Sequence, residues 1–82
     1  MKKVKVKLFG HFRKYHPTPE AASSSFECGL PEGDEKVSDL IHKLNIPEEE
    51  VKIVFINNLK AALDQKLDDG DEIGIFPPIA GG

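Results

Sequence analysis

Only one long stretch of this sequence has helical spacing. Val37, Leu40, Ile41 and Leu44 stand at i, i+3, i+4 and i+7, which lines them up as one apolar stripe. A stripe has to be buried, and no second long helix is there to bury it, so it must lie on a sheet. The rest of the chain supplies short strands. Residues 3–9 alternate, with Val4, Val6 and Leu8 facing one way and Lys3, Lys5, Lys7 and Phe9 the other. Phe26, Cys28 and Leu30 alternate again. Val51 to Ile56 is a near-continuous apolar run too short for a helix, so it reads as a strand buried on both faces or covered on one by a partner. A weaker strand is expected near Ala61-Ala62-Leu63, and a last one over Glu72 to Phe76, with Ile73 and Ile75 inward and Phe76 outward. The expected class is therefore α+β: a mixed sheet of four to five strands covered on one face by one main helix. That helix is expected over 35–45, with Asp34 as its N-cap and Asn45 as its C-terminal cap, before Pro47.

The connections carry less. In residues 10–25 the first half is basic and aromatic and the second is rich in Pro, Ala and Ser, which reads as a mobile loop. Phe12 and Tyr15, three apart, suit a turn of helix on the sheet edge. One such cluster in a chain of net charge −3 makes no case for nucleic acid. His11 and His16 lie five apart with no third ligand nearby, so both read as surface histidines and no metal is expected. Asn57-Asn58 suits a tight turn. Asp68-Asp69-Gly70-Asp71 lacks the spaced ligands and closing Glu of a calcium loop and reads as a solvated turn.

At 82 residues the chain is one small domain, with no room for a pocket walled on all sides and no catalytic cluster in sight. Cys28 is the only cysteine, so no internal disulfide framework exists, and a reducing, cytoplasmic setting is expected. No apolar run is long enough for a membrane, and the lysines near the start interrupt any signal-like segment.

The end of the sequence is where chemistry is expected. After Phe76 come Pro77 and Pro78, which lack an amide hydrogen and cannot continue strand pairing. Their fixed φ favours a stiff, extended exit. Ile79, Ala80, Gly81 and Gly82 follow, and Gly81 and Gly82 have no Cβ to keep the backbone out of a narrow channel. A carboxylate at Gly82 would be ionised at neutral pH, since the reference pKa is about 3.3–3.7. It becomes an electrophile only if another enzyme activates it, for instance as an acyl-adenylate. Two parts are expected: a folded body over 1–76 and an extended reactive tail over 77–82.

These pieces together resemble the MoaD/ThiS-like, ubiquitin-fold sulfur carriers, above all the small subunit of molybdopterin synthase. The matching residues are Val4-Lys5-Val6-Lys7-Leu8-Phe9-Gly10; Leu30-Pro31-Glu32-Gly33 followed by Val37-Ser38-Asp39-Leu40-Ile41; Phe55-Ile56-Asn57-Asn58; and Asp69-Gly70-Asp71-Glu72-Ile73 running into Phe76-Pro77-Pro78-Ile79-Ala80-Gly81-Gly82. The last piece is the specific one. The resemblance implies a β-grasp fold with the first and last strands side by side and parallel. It also implies that an E1-like adenylyltransferase spends ATP on Gly82, and that sulfur replaces AMP to leave a thiocarboxylate. The tail then enters the large subunit of molybdopterin synthase and gives its sulfur to a pterin precursor. The carrier binds no cofactor itself. Docking through the exposed face beside the last strand is implied, with Phe9, Phe55, Leu59 and Phe76 as candidates there. The same adenylate would serve a carrier for thiamin thiazole, or a protein modifier joined to lysines. The long 10–25 loop departs from the small-subunit pattern.

Overall fold

The alternation at the start becomes β1 (Lys2–Leu8), with Val4, Val6 and Leu8 buried and the lysines between them turned outward. The computed structural model describes residues 2–33 and 36–78 of the chain. Four more strands follow: β2 (Phe26–Leu30), β3 (Ile53–Ile56), β4 (Leu59–Ala61) and β5 (Glu72–Phe76). They form one mixed sheet in the order β2-β1-β5-β3-β4. β1 and β5 lie parallel at its centre, with Lys5 opposite Glu72 and Lys7 opposite Gly74. The other pairings are antiparallel. This is the ubiquitin-like β-grasp arrangement, and the parallel central pair is the one expected.

The stripe forms α1 (Val37–Lys43), which buries Val37, Leu40 and Ile41. They meet Val4, Val6, Leu8, Leu30, Ile73 and Ile75 in one core. The helix is shorter than the expected 35–45. Lys36 is extended (φ −107°, ψ 161°) and pairs with Lys66 in an isolated bridge, so helical geometry starts only after it. The Lys36 amide donates to the Asp39 carboxylate at 3.0 Å. The amides of Val37 and Ser38 donate to the carbonyls of Gln65 and Leu63 at 3.0 and 2.9 Å. A neighbouring segment thus satisfies donors that a helix cannot satisfy itself. Asp34, the expected cap, lies outside the described residues. The C-terminal end is as expected: Asn45 has φ 63°, its amide reaches the His42 carbonyl, and the Ile46 amide reaches that of Ile41. These two bonds are those of a Schellman motif.

Asn57 and Asn58 have φ of 50° and 70°, a two-residue turn whose twist matches the strands it joins. Such a turn puts Leu59 directly opposite Ile56. β4 therefore begins at Leu59, two residues earlier than the strand expected near 61–63. Asp68 to Asp71 form a closed turn: the Asp71 carboxylate accepts the Asp68 amide at 2.8 Å, and the Asp69 carboxylate accepts the Lys3 amide at 2.8 Å.

The 10–25 segment departs most from expectation. Gly10–Tyr15 and Pro19–Ala21 are 3-10 turns. Phe12 is fully buried in the core rather than resting at the sheet edge. His11 is exposed, 3.5 Å from Glu50. His16, expected at the surface, is only 7% exposed. Its Nδ1 accepts the Thr18 amide at 2.9 Å, its Nε2 is 3.1 Å from the Ser24 carbonyl, and its ring packs edge-on against Phe26. With Nδ1 accepting, Nε2 carries the proton and donates to Ser24. One imidazole thus fastens both ends of a stretch whose composition suggested an open loop.

Candidate functional site

One face of the sheet is covered by α1, and the other carries the outward residues of the alternating strands. On that open face Lys3, Lys5 and Lys7 continue to Phe9, and Glu72 and Gly74 continue to Phe76. The amide of Phe9 donates to the Ile75 carbonyl at 3.2 Å, carrying the parallel pairing one residue past β1. Phe9 is thereby set beside Phe76, and the rings stack with centroids 4.0 Å apart and planes 8° from parallel. Phe55 meets Phe76 edge-on at 5.6 Å. The Lys7 ammonium sits 5.4 Å from the centre of the Phe9 ring, within cation–π range. These side chains, with Lys5, Ser25, Asn58, Glu72, Ile73 and Gly74, line an open concavity of about 410 Å³.

The structure brings together three of the four aromatic and aliphatic candidates. Phe9, Phe55 and Phe76 are half-buried neighbours. Leu59 is the one large apolar side chain left exposed, at 73% among the described residues. Its register partner is Ile56, whereas Phe55 faces Lys60. Directly opposed residues share a face, so Leu59 points away from the phenylalanine cluster. The expectation that all four form one patch is corrected in this respect. Gly74 is what residue-type reasoning missed, whereas alternation along β1 had already put Lys5 and Lys7 on the face of Phe9. Period-two counting along β5 contained the signal for Gly74, which falls on the face of Phe76.

The tail root leaves from the edge of this cluster. The Pro77 ring is half-buried against Gly10. A Cβ at Gly10 would lie 2.9 Å from the Pro77 Cγ, and Gly10 has φ 59°. Both the space and the backbone at that position suit glycine. Pro77 is therefore packed on the body, and Pro78 is exposed. The expected site residues Ile79, Ala80, Gly81 and Gly82 lie outside the described residues.

The remaining candidates do not assemble into a centre. Cys28 is buried, and burial pushes its thiol above the ordinary value while Lys43 pulls it partly back. A thiol held neutral in this way is a poor nucleophile. His42 pairs with Glu48 at 2.7 Å on the surface. Among the described residues no group of three or more His, Cys, Asp or Glu could hold a metal ion, and no helix is long and apolar enough to cross a membrane.

The sequence pattern of the ThiS family matches residues 6–82. Among solved structures, a Pyrococcus furiosus protein assigned as molybdopterin converting factor subunit 1 is 31% identical, with a TM-score of 0.70 over 96% of this chain and 100% of that one. The small archaeal modifier protein 1 of Methanosarcina acetivorans is 27% identical, with a TM-score of 0.69 over 100% of this chain and 98% of that one. The complex of subunits 1 and 2 of the molybdopterin-converting factor of Helicobacter pylori contains a chain that is 22% identical, with a TM-score of 0.59 over 98% and 99%; at that identity the likeness is one of fold. No curated protein is significantly similar in sequence.

Proposed function

The chain belongs to the ThiS family, and from that premise we propose that it is a sulfur carrier for molybdopterin synthesis whose reactive group is the Gly82 carboxylate. An E1-like adenylyltransferase docks on the open face and takes the tail. The carboxylate attacks ATP, pyrophosphate leaves, and the acyl group is held as an adenylate. A sulfur nucleophile displaces AMP and leaves a thiocarboxylate. The charged tail then enters the large subunit of molybdopterin synthase, which transfers the sulfur to a pterin precursor. The chain is a co-substrate and small subunit, ATP is used by its partner, and no cofactor is bound. Its setting is the reducing cytoplasm.

One observation carries the reading. The stacked pair Phe9–Phe76 and the Gly10–Pro77 packing hold Pro77 at the edge of the open face, which supports a partner that docks on that face and takes the residues beyond it. The likeness to a subunit assigned to molybdopterin conversion favours the pterin route over thiazole. The likeness to a small archaeal modifier protein supports a second reading, in which the same adenylate is joined to a lysine amine.

Intact mass spectrometry of the protein purified from cells tests both. A carrier shows the gain of one sulfur for one oxygen at the C-terminus, and a modifier shows larger adducts. A chain lacking Gly81 and Gly82 loses either signature. If that truncated chain sustained molybdopterin synthesis as well as the full one, the reading would be overturned.

A further inference from the structure

A glycine in the middle of a central strand weakens it, because it adds entropy to the unfolded chain and packs nothing. Gly74 is such a residue, flanked by Lys7 on β1 and Phe55 on β3. Its φ lies outside the left-handed region, so the backbone does not demand glycine. Space demands it only in part: a Cβ would lie 3.3 Å from Cε2 of Phe9 and 3.5 Å from Cε1 of Phe76. An alanine fits if the Phe9 ring gives by a few tenths of an ångström. Anything larger rises into the concavity. What the glycine preserves, then, is the opening itself.

We propose that Gly74 is a size gate on the docking face, and that the gap above it receives one apolar side chain of the adenylating partner, with a carboxylate beside that side chain meeting Lys5 and Lys7. This inference rests on the proposed function and names the chemistry of the partner at that face. The apolar requirement comes from Phe9, Phe55 and Phe76, which wall the gap. The acidic requirement comes from charge: two lysines line the concavity against one acid, Glu72. Gly74 touches no reacting atom, so it sets partner affinity and not the chemical step.

The test is ATP–pyrophosphate exchange by an E1-like adenylyltransferase, titrated with the full chain. Gly74→Val is expected to raise the half-saturating concentration at least tenfold, with kcat close to the parent. Gly74→Ala is expected to raise it less than threefold, and Lys5→Gln with Lys7→Gln to raise it severalfold and flatten its salt dependence. Bulk can also be added after folding: Gly74→Cys in a Cys28→Ala background is treated with apolar thiol reagents of increasing size. A graded rise in half-saturation supports the gate even where Gly74→Val folds poorly. A flat response, or a fall in kcat at unchanged half-saturation, overturns it while the function stands. A parent chain that supports no exchange overturns the function and the gate together. Concentration-dependent dimers that Gly74→Val abolishes would assign the gap to a second copy and overturn the partner claim.

Discussion

Gly10 carries two constraints at one position, a left-handed backbone and a proline ring where a side chain would go. Gly10→Val meets both, and is expected to cost about 1–3 kcal/mol and to shift the Pro77 resonances, read by urea denaturation and heteronuclear NMR. Cys28 gives a prediction in pH. Its folded pKa is raised by burial above the ordinary 9.0, so above that pH the unfolded chain gives up the thiol proton and the folded chain keeps it. Stability contributed by the neutral thiol is whole below that pH and drains away as pH rises through the folded value. Melting curves across that range should show a fall that Cys28→Ala removes. Residue type alone was enough to place Cys28 in the core, Asn45 at the helix end and Asn57-Asn58 in the turn, because each has a strong local preference. It could not place His16. A histidine among prolines and serines looks solvated until the chain closes around it and its two nitrogens find the backbone of Thr18 and Ser24.

Among the elements, the segment from Pro17 to Ser25 depends most on a single side chain. His16→Ala leaves the Thr18 amide and the Ser24 carbonyl without their partner, at a cost of about 1–3 kcal/mol. Hydrogen exchange at Thr18 should accelerate and thermal melting should fall, with the β1–β5 pairing intact. The same loop ends at Ser25, on the rim of the concavity, so His16 also steadies one wall of that concavity. The strands and the helix were legible from period and stripe, but their edges were not. α1 starts late because Lys36 pairs with Lys66, thirty positions away. β4 starts early because a two-residue turn fixes its register. Both boundaries are set by tertiary partners, which a window on the sequence does not contain. The phenylalanine cluster was legible for the same reason the strands were, and Leu59 fell outside it once pairing fixed the faces.

At the scale of the whole molecule, one face is packed by a helix and the other is a lysine-lined, aromatic surface with Pro77 at its edge. Chain ends of this kind should be intolerant of extension. On the proposed function, one bulky residue added after Gly82 abolishes thiocarboxylate formation, measured by intact mass, and leaves Tm unchanged.

The strand order carries one more consequence. β5 is the last strand among the described residues, yet it lies at the middle of the sheet between β1 and β3. A nascent chain halted before Glu72 has no partner for the facing edges of β1 and β3. Closing the sheet across that span is a non-local event, slow and late. Each copy that reaches the native state has therefore been translated through β5, and a chain cut short of that strand carries an open seam where the middle of its sheet should be.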